Sequence, residues 1–180
     1  MKNQLTPTSF IDVGRIVTDL THLGWQPVLI GGMALVALGS RRVTWDFDFV
    51  IKNPSHQISH FIDVFYSHGF LLASEIDSQG EITTTFKNSH EAIKYFTTEK
   101  PTSAFFINPY MDLKIDVIFD YPIPAKKLLK DATQFKVGRH TFWIAYKTHL
   151  LQLKQLAVSS RGDSRDVQDL EFLRALLKKK

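Results

Sequence analysis

The chain has 180 residues, 44% of them apolar and 22% charged, a balance that fits one globular domain and excludes disordered or fibrous classes. It has no cysteine, so disulfides and thiolate metal sites are excluded and a cytoplasmic location is expected. The net charge of +4 permits a nucleotide or nucleic-acid partner without requiring one, and neither a membrane span nor a signal-peptide core is present in the sequence.

In chain order, Phe10, Val13, Ile16, Val17 and Leu20 recur at helical spacing between Thr8 and Leu23, with Thr8 or Ser9 as cap and Gly24 as the stop. Pro27-Val28-Leu29-Ile30 is a short apolar run entering Gly31-Gly32, as a buried strand enters a turn. Met33 to Leu38 suits a short buried helix ended by Gly39. Asp46 to Ile51 reads as a strand, and Asn53-Pro54 ends it. Ser55 is the expected cap of a second helix running to Ser67, with Ile58, Phe61, Ile62 and Phe65 inward. His56, His60 and Asp63 share its outer face, where a metal could be held by spacing alone but a solvated face is the preferred reading.

Phe70 to Phe119 reads as strands: Phe70–Ala73, Ile82–Phe86, Ala104–Ile107 and Leu113–Phe119, with a turn at Asn108-Pro109-Tyr110. A short helix is expected around Lys126 to Leu129, then a hairpin of Gln134–Val137 and His140–Ile144 about Gly138-Arg139. Two helices close the chain. One runs from Tyr146 to Val158; the other, capped by Asp163 or Ser164, runs to about Leu177 with Val167, Leu170, Leu173 and Leu177 on its apolar face. The organisation expected is one domain over 1–180, with a core over 8–145 and C-terminal helices over 146–177.

Asp46 and Asp48 are two apart on a strand, so they project to one side while Trp45, Phe47 and Phe49 take the other. Two like charges on an apolar strand repel and resist desolvation; divalent cations make the pair favourable, and Mg2+ takes such carboxylates together with substrate phosphates. Gly31-Gly32 would let a polyphosphate approach the backbone at the start of the following helix. In Leu113–Phe119, Lys114, Asp116 and Ile118 share one face, which makes Asp116 an acid on an otherwise apolar strand. Its bland alternative is an edge carboxylate or an ion pair with Lys114. Asp112 and Asp120 read as solvated turn residues. Lys147 and Lys154 lie seven apart on one helical face with Leu150, Leu151 and Val158, where a lysine either snorkels or meets an anion.

Gly31-Gly32, a short helix, then Arg42-Val43-Thr44-Trp45-Asp46-Phe47-Asp48 resembles the active-site signature of the DNA polymerase beta-type nucleotidyltransferase superfamily. It is most similar to the small bacterial AbiEii toxin-like branch. Two positions depart from the commonest form, which has Gly-Ser where this chain has Gly31-Gly32 and often Ser where it has Trp45. The resemblance implies an α/β (α+β) nucleotidyltransferase fold: a mixed β-sheet packed against helices, with a helical C-terminus. It implies transfer of a nucleoside monophosphate from a nucleoside triphosphate to an acceptor hydroxyl, with two Mg2+ ions, or Mn2+ in their place. Asp46, Asp48 and Asp116 would be the catalytic and metal-binding carboxylates, Asp116 the one nearer the acceptor. Gly31, Gly32, Arg42, Thr44 and Lys154 would bind nucleotide, supported by Lys147, Arg165, Asp166 and Asp169. The acceptor could be tRNA, protein or a small molecule, and a cognate toxin or antitoxin is an implied partner; no membrane role is implied. The alternatives are an aminoglycoside- or lincosamide-type antibiotic nucleotidyltransferase, an AMP-adding antitoxin, and a degenerate domain that only binds nucleotide. No Walker lysine motif or dinucleotide glycine fingerprint is present.

Overall fold

Val28, Leu29 and Ile30 are buried at every position, as expected for a strand covered on both faces. They form β1 (Val28–Ile30) at the middle of the sheet in a computed structural model that describes residues 7–161 and 164–178. Around it, in chain order, stand α1 (Pro7–His22), α2 (Gly31–Ala37), β2 (Asp46–Ile51), α3 (Ile58–Ser67), β3 (Leu71–Ile76), β4 (Ile82–Thr85) and α4 (Ser89–Glu99). They are followed by β5 (Ser103–Asn108), β6 (Leu113–Phe119), α5 (Ala125–Lys130), β7 (Thr133–Val137), β8 (His140–Ile144), α6 (Lys147–Arg161) and α7 (Ser164–Lys178).

The strands form one mixed sheet in the order β4-β3-β5-β6-β2-β1-β8-β7. The pairs β2–β6 and β1–β8 are parallel and the rest antiparallel. Alternation sorts the two faces. Leu113, Ile115, Val117 and Phe119 of β6 are buried, while Lys114, Asp116 and Ile118 are half-covered. The buried face is built on phenylalanine. Phe65 of α3 stacks on Phe106 of β5 at 3.8 Å, Phe61 meets Phe106 and Phe119 edge-on, and Phe10 of α1 meets Phe47 and Phe142 edge-on. The opposite face carries the carboxylates and faces α6.

Several sequence expectations change. The stretch from Phe70 to Phe119 is not all strand, because α4 intervenes. It buries Ala92 and Phe96, four apart, and is capped by Asn88, whose Oδ1 accepts from the Glu91 N–H at 3.0 Å. The helix α2 begins at Gly31 rather than Met33, so both glycines belong to it. The helix α3 begins at Ile58, and Ser55 is not its cap. Val167 is exposed, whereas Leu170 and Leu173 of the same helix are buried. Asp163 lies outside the described residues, and α7 starts at Ser164. Asp120 is not a solvated turn residue: its Oδ2 accepts from the Asn53 N–H at 3.1 Å and its Oδ1 from the Ala125 N–H at 3.0 Å, tying the end of β2 to the start of α5.

Candidate active site

The register of the central strands sets the site. Ile30 stands opposite Asp48, Asp48 opposite Asp116, and Asp116 opposite Phe105, so four side chains from β1, β2, β6 and β5 form one row across the sheet. Asp46 stands one row away, opposite Lys114. The turn from β1 into α2 folds over Asp48. Gly31 has φ +63°, and a Cβ there would lie 1.9 Å from Asp48 Oδ2. No side chain fits, and the left-handed backbone favours glycine independently.

Facing carboxylates on a half-covered strand are electrostatically costly. Burial, then the charges of Asp48 and Asp46, push the Asp116 carboxyl up to about 8, against a smaller pull from Lys114. Asp46 is also raised, by partial desolvation, and Lys114 opposes the shift. Lys114 does not pair with Asp116; its ammonium meets Glu81 of the β3–β4 hairpin at 2.5 Å.

The C-terminal helices join the site through charge. Lys154 Nζ of α6 donates to Asp166 Oδ1 and contacts Asp169 Oδ2, each at 2.7 Å, and Asp169 also receives the Arg42 guanidinium. Asp166 and Asp169 are 5% and 3% exposed, so two buried anions are matched by two cations. Arg42 in turn lies on Gly32: a Cβ there would sit 2.7 Å from Arg42 Cζ. The guanidinium fills the space a side chain at position 32 would need.

A cavity of about 650 Å³ opens between the carboxylate face and α6. Gly31, Asp48, Asp116 and Lys154 line it together. Much of the remaining wall is apolar, including Leu35, Phe105, Ile118, Leu150 and Leu153. The structure thus gathers four of the expected residues on one cavity. Asp46 does not line the cavity, and the charge of Arg165 favours its ionised form. Gly32 and Arg42 do not line the cavity, and Thr44 is buried just before β2. Lys147 is elsewhere, donating to the Leu176 carbonyl at 3.5 Å. His56, His60 and Asp63 are exposed.

The donor set of Asp46, Asp48 and Asp116 is all oxygen and anionic, the kind a hard divalent cation takes. Among the described residues no three His, Asp or Glu side chains are already gathered as a metal-ligand group. The carboxylates fit the ion by chemistry and by the adjacency of their strands, without converging on one point. A cavity residue that sequence reasoning missed is Phe105, for which the alternation in Ala104–Ile107 was the available signal; Ile118 was placed on the Asp116 face but not assigned to the site.

No protein-family model matches the chain, and no curated protein sequence matches it significantly. Solved structures do. The lincosamide antibiotic adenylyltransferase LnuA, in its lincomycin-bound form, aligns over 96% of this chain and 98% of its own with a TM-score of 0.56 at 12% identity. An antigenic nucleotidyltransferase-like protein from Paracoccidioides brasiliensis aligns over 93% of this chain and 76% of its own, with a TM-score of 0.58 at 14% identity. JHP933 from Helicobacter pylori aligns over 94% and 67%, with a TM-score of 0.50 at 17% identity. The mixed sheet with its helical C-terminus is therefore a fold shared with solved nucleotidyltransferase and nucleotidyltransferase-like proteins. Among the described residues no helix is long and apolar enough to cross a membrane.

Proposed function

We propose that the chain is a metal-dependent nucleotidyltransferase that moves a nucleoside monophosphate from a nucleoside triphosphate to an acceptor hydroxyl. The observation that carries this reading is the row in which Asp48 and Asp116 oppose each other on parallel strands, with Gly31 packed on Asp48. Such a row is unfavourable by itself, as the raised Asp116 carboxyl reports, and a triphosphate-bound divalent cation would relieve it. Asp46, Asp48 and Asp116 would hold Mg2+ or Mn2+, as two ions. When bound, the ions neutralise phosphate charge and stabilise the attacking and leaving oxygens.

The protein's own groups supply position. Gly31, lacking a Cβ, lets the Asp48 carboxylate close on the backbone at the start of α2, which would hold that metal ligand in place. An ammonium has three donors; two of those on Lys154 go to Asp166 and Asp169, leaving a third for a ligand in the cavity they share. On this reading Asp116 takes the proton of the acceptor hydroxyl, its carboxylate ionised once cations relieve the row. Arg42 and Asp169 fix α7 against the loop that precedes β2.

Replacement of the common serine by Gly32 does not by itself favour a degenerate domain, because Arg42 occupies the vacated space. The toxin-like branch, with a cognate toxin or antitoxin and a cytoplasmic location, remains the family-level reading of the motif. The test is incubation with labelled ATP, GTP, CTP and UTP, Mg2+ and cell extract. Label should appear on an acceptor with the wild type and not with Asp48→Ala. Equal labelling by both proteins would refute the reading.

A further inference from the structure

The acceptor side of the same cavity has a chemistry of its own, and its assignment rests on the nucleotidyl-transfer reading. Along the row Ile30–Asp48–Asp116–Phe105, Gly31 stands beside Asp48 at one end and Phe105 at the other. If phosphates lie toward Gly31 and Lys154, the surface beyond Asp116 is left for the acceptor. That surface is the ring of Phe105 with Ile118 and Ser103, which face each other in the next row. Helix α6 adds Leu153 and Ala157 to the same cavity.

The charge on this wall decides the occupant. Among the described lining residues the single cation is Lys154, already held by two aspartates, and the two anions are Asp48 and Asp116. A polynucleotide acceptor needs several lysines or arginines on its phosphates, and among the described residues this wall presents Lys154 alone. The cavity of about 650 Å³ is within the range of small-molecule sites. The polar groups on the far wall are hydroxyls, Thr102, Ser103 and Ser160, which orient without demanding charge.

We infer that the acceptor is a small molecule whose apolar ring or chain seats on Phe105 and Ile118 and whose hydroxyl meets Asp116. In the transfer that hydroxyl gives its proton to the Asp116 carboxylate. Its oxygen forms the new bond to the α-phosphorus as the bond to the bridging oxygen breaks, and pyrophosphate leaves with that electron pair.

The test uses 2-naphthol, a fluorescent apolar alcohol, titrated into the full chain with Mg2+ and a non-hydrolysable ATP analogue at saturation. Saturable one-to-one binding is expected with the analogue present. Phe105→Ser and Ile118→Ser should each weaken it about tenfold, the scale of losing part of an apolar contact, while leaving analogue affinity within about twofold by calorimetry. Displacement of naphthol by the analogue would overturn the inference, because the wall would then hold the base. Absent naphthol binding, or binding unchanged in both folded variants, would overturn it too, as would RNA as the labelled product in extract. If the wild type binds no Mg2+–analogue in calorimetry, the nucleotidyl-transfer reading itself fails; analogue binding without naphthol binding sinks only the acceptor assignment.

Discussion

Substituting Gly32 by alanine should expose how the glycine pair and the C-terminal helices are joined. Gly32 lies inside α2 with no positive φ, so alanine alone should favour the helix by about 0.5–1 kcal/mol. The added Cβ would stand 2.7 Å from Arg42 Cζ and 2.9 Å from Nη2, so the guanidinium must withdraw. It then loses its bond to Asp169, whose side chain is 4% exposed against 20% for Arg42. A charge-assisted bond at that burial is worth about 1.5–3 kcal/mol. The net expectation for Gly32→Ala is a loss of about 1–2 kcal/mol, or roughly 2–8 °C in Tm for a domain of this size. In an Arg42→Ala background the clash and the bond are both gone, and the same substitution should be neutral or stabilising by about 0.5–1 kcal/mol. Urea unfolding of the four proteins measures the coupling, expected at about 1.5–3 kcal/mol. Additivity within about 0.5 kcal/mol would refute the claim that Arg42 occupies the place of a side chain at position 32.

Gly31→Ala should be worse than Gly32→Ala, because the obstacle is the Asp48 carboxylate at 1.9 Å and the backbone is left-handed; loss of Mg2+-dependent nucleotide binding is expected by calorimetry, and wild-type affinity would refute the packing. Lys154→Ala removes an ammonium held by two buried aspartates, so chemical unfolding should show a loss of about 3 kcal/mol rather than the near-zero effect of a surface lysine. Asp116→Asn should stabilise the metal-free protein in a pH-dependent way. The native carboxyl titrates at about 8, above its ordinary value, so the folded state holds its proton longer than the unfolded state and wild-type stability falls as pH rises from about 4 to 8. The advantage of the asparagine variant should grow from near zero at pH 4 to about 1–4 kcal/mol at pH 8; a difference constant across that range, measured by thermal melts in chelator, would count against the facing carboxylates. Added Mg2+ should raise the wild-type Tm and narrow the difference.

The central strands were legible because their signals are local. Asp46–Ile51 and Leu113–Phe119 have the predicted bounds, and the alternation that put Lys114, Asp116 and Ile118 on one face matches their burial. The hairpin about Gly138 and the two closing helices are also where turn and periodic signals put them, to within a few residues. Helix α4 escaped because its buried residues are few, Ala92 and Phe96, and its sequence contains Tyr95, Thr97 and Thr98, which favour strands. The available cue was Asn88 followed three residues later by Glu91, a helix-start pattern with its cap bond formed in the structure.

Pairing across the chain is a different kind of information. Spacing put Asp46 and Asp48 on one side, yet which carboxylate opposes Asp116 depends on strand register, and the register selects Asp48 while giving Asp46 to Lys114. Likewise, the cations on Asp169 are Lys154 and Arg42, the latter 127 residues away along the chain. That long-range choice has a chemical consequence. Lys154 and Arg42 are thereby engaged with buried carboxylates rather than held free for a phosphate. A nucleotide reaching Lys154 would have to share the ammonium with two buried aspartates. On the proposed nucleotidyl-transfer reading, phosphate is held only together with divalent cations at Asp46, Asp48 and Asp116, so nucleotide affinity measured by calorimetry should be lost in chelator; unchanged affinity in chelator would count against it.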